Sequence, residues 1–188
     1  DGRDPEQAVA ATRVKYGSDV NFGALCRYLI QALKAKGDFE LLLKHKVKGI
    51  ERLDDGKWQV TLKSPEGEAV YTSDFVFLGA GGGALPLLQM SKIPEGDGYG
   101  GFPVSGQWLA CKNPAVVNQH LAKVYGKASI GAPPMSVPHL DTRVIDGQHA
   151  LLFGPFAGFS TKFLKQGSIL DVILSVRPKN IWPMVKVG

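Results

Sequence analysis

Residues 75–84 read FVFLGAGGGA, four apolar side chains running straight into a glycine-rich turn. An uninterrupted apolar run of this kind suits a strand covered on both faces, as in a parallel sheet. Gly79, Gly81 and Ala84 fall at the spacing G-x-G-x-x-A. In a βαβ unit that spacing lets the backbone approach a pyrophosphate, while the next helix presents N–H groups and a positive dipole end. LPLLQM, residues 85–90, is the candidate for that short helix. A complete dinucleotide site also needs a second parallel strand ending in Asp or Glu about 20 residues on. That position falls in IPEGDGYGGF, residues 93–102, where Asp97 sits in a glycine-rich loop without a strand pattern. Three readings stand: an NAD-binding turn, a tightly packed strand end, or one wall of a cofactor site built mainly by other sequence. The missing ribose acid counts against the first.

Upstream, SDVNFGALCRYLIQALKAKG, residues 18–37, reads as a helix capped by Asn21 or Asp19 and stopped by Gly37. Its apolar residues recur at steps of three and four. FELLLKHKVKGIERL (39–53) and WQVTLK (58–63) change to a strand-like pattern and flank the hairpin signal Asp55-Gly56. SPEGE (64–68) is a second turn, leading into the opening stretch, and VKYG (14–17) is a possible short strand. Downstream, SKIPEGDGYGGFPVSG (91–106) is dense in glycine and proline and marks a boundary or long loop near residues 91–101. Beyond it NPAVVNQHLAKVYG (113–126) reads as a helix, and PVSGQWLAC (103–111), KASIGAP (127–133), TRVID (142–146) and HALLFGPFA (149–157) as strands. The last two meet at Asp146-Gly147, a second hairpin signal. The predicted fold class is therefore α/β to α+β. Residues 1–90 form a partial Rossmann-like domain and residues 91–188 a second domain on a mainly antiparallel sheet.

A chain of 188 residues, 44% hydrophobic and 21% charged, has the composition of an ordinary soluble globular protein. No apolar stretch reaches the roughly 20 residues that span a bilayer. The net charge of +5 is modest, and its densest lysines (Lys34, Lys36, Lys44, Lys46, Lys48) read as a solvated face. An anionic membrane surface or anionic metabolites suit this charge; nucleic acid does not follow from it. Cys26 and Cys111 are the only cysteines, far apart, which fits a reduced cytoplasmic protein. No His/Cys/Asp cluster has metal-ligand spacing, so no metal is expected.

Several segments together resemble the malate:quinone oxidoreductase family. They are GAGGGALPLLQMSKIPEG (79–96), GYGGFPVSGQWL (98–109), AKVYGKASIGAPPMSVPHLDTRVIDG (122–147), LLFGPFAGFSTKF (151–163) and SVRPKNIWPM (175–184). The likeness runs from about Gly17 to the end and extends more distantly to FAD-dependent amine and hydroxy-acid oxidases. It implies an FAD-dependent enzyme that oxidises malate to oxaloacetate and passes electrons to membrane quinone, peripheral to the cytoplasmic membrane. The family's opening strand and G-x-G-x-x-G segment have no counterpart here. The resemblance thus implies an internal fragment, without FAD or turnover of its own and with apolar surface prone to self-association. On it, Gly79, Ala80, Gly81, Gly82 and Gly83 become the far wall of the flavin site. The alternative is a non-catalytic ligand-binding or interaction domain.

Oxidising a 2-hydroxy acid needs a base, a hydride acceptor and cations for the carboxylates. Histidine is the natural base because its ordinary pKa of about 6.5 lies near working pH. His45, His120 and His149 read as surface residues. His139, between Pro138 and Leu140, reads from spacing alone as a packed or capping residue, and with the resemblance as the catalytic base. Arg143 is either a bidentate carboxylate ligand or a strand-surface arginine paired with Asp141 or Asp146. Lys162 and Arg177 are candidates for a second cation. Gln107 and Tyr125 are substrate hydrogen-bonding candidates or core-edge residues.

Overall fold

A computed structural model describes residues 4–6, 8–127, 130–131 and 137–187. The first helix, α1 (Phe22–Ala35), begins where expected: the Asn21 side chain accepts from the Ala24 N–H at 3.1 Å. It ends at Gly37, whose φ of +93° a residue with a Cβ adopts only with strain. No residue of α1 is buried, so its stripe of Leu25, Leu29 and Leu33 lies open.

Three strands follow: β1 (Lys46–Arg52), β2 (Trp58–Ser64) and β3 (Gly67–Ser73), an antiparallel sheet in sequence order. The Asp55-Gly56 signal makes the first hairpin, with Arg52 opposite Trp58 and the Lys57 N–H bonded to Asp55. The FELLLKH part of the first predicted strand is not a strand; β1 starts only at Lys46. Residues 14–17 form no strand either. Ile50, 2% exposed, is the one buried residue of β1, and β1 lies against α2 (Ala84–Ser91).

The opening stretch departs most from expectation. Phe75–Leu78 belongs to no strand, and Phe75 and Phe77 are 74% and 84% exposed. A buried parallel strand needs ladder partners on its edges. Among the described residues both sheets are wholly antiparallel, and neither takes up this run. The glycines after it wind into a 3₁₀ turn (Gly81–Gly83) that leads directly into α2, so the predicted short helix is present.

The larger sheet runs β4-β7-β6-β5. Its strands are β4 (Val104–Cys111), β5 (Lys123–Val124), β6 (His139–Ile145) and β7 (Gln148–Phe159). Asp146 and Gly147, with φ of +51° and +78°, close the β6–β7 hairpin in the left-handed geometry that a two-residue turn prefers. The predicted helix over 113–126 shrinks to α3 (Pro114–Val117), capped by Asn113. Thr142 explains the loss: its hydroxyl donates to the His120 carbonyl and its N–H to the Ala122 carbonyl at 3.2 Å. These bonds draw the following residues out as the edge strand β5. Of the predicted KASIGAP strand, residues 128–129 and 132–133 lie outside the described residues, and Lys127 is not in a strand. Two short helices, α4 (Asp171–Ser175) and α5 (Ile181–Val187), follow β7. No helix among the described residues is long and apolar enough to cross a membrane.

Candidate functional site

Alternation along β6 places His139, Asp141 and Arg143 on one face of the larger sheet. Register then selects their neighbours. Lys123 lies opposite Asp141 and Gly154 opposite His139, with Tyr125 the next residue beyond β5. On the far side a bulge between Gln107 and Leu109 sets Trp108 against Gly154, whose missing side chain leaves room for the indole.

Three aromatic rings meet here. Tyr125 stacks on His139 with centroids 4.4 Å apart and planes at 26°, and Trp108 meets the same imidazole edge-on at 5.0 Å. His139 Nε2 is 3.4 Å from Asp141 Oδ2, and Lys123 Nζ is 3.6 Å from the same oxygen. Asp141 is only 5% exposed, a buried carboxylate beside two basic side chains.

Arg143 is anchored by a residue the sequence reading did not pair with it. Its Nε lies 2.7 Å from Asp19 Oδ1, and its Nη2 donates to the Val20 carbonyl at 2.9 Å. Asp19 also accepts from the Val144 N–H at 2.7 Å and sits 3.6 Å from Lys123 Nζ. Partial burial works to raise the Asp19 pKa. The Val144 N–H bond and the charges of Arg143 and Lys123 outweigh it, holding the carboxyl below the ordinary aspartate value. Arg143 thus does behave as a paired strand arginine, though its partner is Asp19 rather than Asp141 or Asp146.

A second group of expected residues gathers elsewhere. A recess of about 500 Å³ is lined by Gly81, Gly82, Phe102, Ser105, Ser160 and Lys162, among others. The glycine turn and Lys162, 79 to 81 residues apart in the chain, therefore share one concave surface. Gly82 is required by packing: a Cβ there would sit 2.0 Å from the Phe163 carbonyl oxygen. Gly81 differs, with φ of +53° and open space where its Cβ would be. Gly79 packs against the Phe77 ring and Gly83 against Ala80 and Leu164. Gln107 lies on β4, exposed, and Arg177 spends Nη1 on the Leu174 and Val176 carbonyls.

The donor set of this recess fits one end of an anionic, ring-bearing cofactor such as FAD. Gly81 leaves backbone accessible, α2 begins without a side-chain cap, and Lys162 supplies positive charge. Gly81 and Gly82 are the residues of the turn that line it. Among the described residues no three His, Cys, Asp or Glu side chains group as metal ligands.

Asp19, Lys123, Asp141 and Trp108 complete the β6 face; none of them is a site candidate on sequence grounds, where Asp19 reads as a helix cap and Asp141 as a partner for Arg143. Asp141 had a readable signal, since HLDTR alternates its three ionisable residues. Asp19 had none, because 125 residues separate it from its β6 partner Val144.

The class that emerges is a mixed α and β chain with a histidine–carboxylate–arginine face on its larger antiparallel sheet. The chain belongs to the malate:quinone oxidoreductase family, whose model matches residues 1–188. It is 63% identical over 188 residues to a probable malate:quinone oxidoreductase of Hahella chejuensis, covering 99% of this chain and 38% of that protein. It is 60% identical to probable malate:quinone oxidoreductase 2 of Pseudomonas aeruginosa, covering all of this chain and 37% of that protein. A probable malate:quinone oxidoreductase of Synechococcus sp. is 58% identical, again with all of this chain and 38% of the relative covered. The chain thus spans less than two-fifths of the length of these relatives.

Proposed function

We propose that this chain forms the substrate-facing sheet and one wall of the flavin site of an enzyme that oxidises malate to oxaloacetate, with quinone as electron acceptor. The observation that carries the reading is the β6 face, where one histidine is held between two aromatic rings and beside a buried carboxylate. Residues 1–90 contribute to the flavin domain and residues 91–188 to the substrate domain. FAD, when bound, supplies the hydride acceptor for the hydroxyl-bearing carbon.

His139 takes the hydroxyl proton, which leaves an alkoxide able to release its C–H hydride as the carbonyl forms. Tyr125 and Trp108 restrict the imidazole to one orientation, which lowers the cost of reaching a reactive geometry. Arg143 Nη1 carries no hydrogen bond among the described residues and is the donor left for a substrate carboxylate. Lys162 and Gln107 are assigned to the second carboxylate and the substrate's polar rim. The membrane contact needed to reach quinone lies on the cytoplasmic side and outside these residues. The 188-residue chain alone is read as inactive and without stable FAD.

Malate-dependent quinone reduction by the full-length enzyme tests the reading. His139→Ala is expected to lower kcat by about 10²-fold or more, with a smaller effect on KM. Wild-type kcat in that variant sinks the assignment. On the isolated chain, a bound yellow chromophore after purification contradicts the claim that the rest of the protein is needed to hold FAD.

A further inference from the structure

We propose that Asp141 is the positioning residue for His139: its carboxylate holds the imidazole proton on Nε2 and leaves Nδ1 as the proton-accepting nitrogen. This rests on the reading of His139 as the base.

A carboxylate as buried as Asp141 is costly unless it is compensated by charge or hydrogen bonds. Lys123 compensates it but is shared with Asp19, which in turn holds Arg143. Asp19 and Asp141 carry two negative charges, Lys123 and Arg143 two positive ones. The cluster is therefore balanced when the imidazole is neutral. A neutral imidazole has one N–H and one bare nitrogen, and the neighbour of each decides which is which. An ionised carboxylate only accepts hydrogen bonds, so Oδ2 beside Nε2 selects the Nε2–H form.

The surroundings keep the two groups together. Asp141 Oδ1 is also buried and has no hydrogen bond among the described residues, so Lys123 is the one described cation competing with the imidazole for this carboxylate. Ring tilt is set separately, by Tyr125 on one face and Trp108 at the edge. Once Nδ1 has taken the substrate's proton, the imidazolium lies against Asp141, where the new positive charge meets a fixed negative one.

The test is ring ¹⁵N NMR on full-length enzyme labelled at histidine, with His139 assigned through the signals lost in His139→Gln. The wild type is expected to show a protonated Nε2 and a bare Nδ1. In Asp141→Asn the amide can turn either its oxygen or its NH₂ to the ring, and mixed tautomers are expected. The same variant should lose at least ~10-fold in kcat with KM changed less than about threefold. A wild-type His139 protonated on Nδ1 overturns the proposal, as does an unchanged tautomer in Asp141→Asn. Mixed tautomers with undiminished kcat would uphold Asp141 as the orienting group and remove His139 from the role of base. If Asp141→Asn does not fold, the wild-type spectrum decides alone.

Discussion

Replacing Asp19 with alanine should loosen the junction between the lead-in to α1 and the β6–β7 hairpin. Three groups converge on this carboxylate: the Val144 N–H at 2.7 Å, Arg143 Nε at 2.7 Å and Lys123 Nζ at 3.6 Å. Hydrogen bonds to a charged partner contribute about 1.5–3 kcal/mol each, and partly exposed ion pairs under about 1 kcal/mol. Some compensation by water is expected at a side chain 19% exposed, which brings the loss to about 2 kcal/mol. Local opening at Val144 would then become about 30-fold more frequent. Amide hydrogen exchange at Val144 reads this directly. Asp74→Ala is the control, because Asp74 is 90% exposed and its Lys57 partner, 3.7 Å away, belongs to the smaller sheet's hairpin. That variant should change exchange at Val144 by less than about threefold. The pH dependence has a defined sign. The Asp19 pKa is lower in the folded chain, so its contribution is complete above the ordinary aspartate value of 3.8 and declines as pH falls through the depressed one. Protection at Val144 should be flat from pH 5 to 7 and decline below about pH 4, and Asp19→Asn should remove that decline. Equal effects of Asp19→Ala and Asp74→Ala would refute the claim that Asp19 holds the junction.

The glycine turn gives a sharper contrast. Gly82→Ala drives a methyl against the Phe163 carbonyl and should cost about 3 kcal/mol or more, whereas Gly81→Ala meets no atom and pays only for its left-handed φ, about 1 kcal/mol. Thermal unfolding of the two variants should rank them in that order. On α1, Leu25→Ser and Leu29→Ser together replace exposed apolar surface. They should leave the melting temperature of the 188-residue chain within about 2 °C and reduce its self-association in light scattering, and unchanged association would place the contact elsewhere.

Where structure is set by neighbours in the chain, the residues were legible. Asn21 capped its helix, and both Asp-Gly turns made hairpins. The β4 and β7 strands lie within two residues of the predicted runs, whereas β6 begins at His139, three residues before the predicted TRVID strand. Legibility failed where distant partners decide. FVFL carries a strand's composition, but a strand is made by its neighbours, and no described strand pairs with it. The 113–126 segment has helical spacing, yet Thr142 takes two of its carbonyls and converts the second half to an edge. The site divides in the same way. His139 is a candidate through motif likeness and Arg143 through the fit of a guanidinium to a carboxylate, while Asp141 follows from strand period once β6 is known. Asp19 could only be found in three dimensions.

The Asp19 junction also has a consequence for biosynthesis. Its β6 partner Val144 is made 125 residues later. At elongation rates of about 5–20 residues per second, roughly 6–25 s pass between the two. During that interval α1 can form locally behind its Asn21 cap, while Asp19 still lacks its β6 partner. Closing so long a loop costs entropy before any contact rewards it, so the junction should form late in folding. The same pairing that engages Arg143 Nε is therefore a checkpoint on the ribosome: the histidine face cannot be completed until the hairpin has emerged.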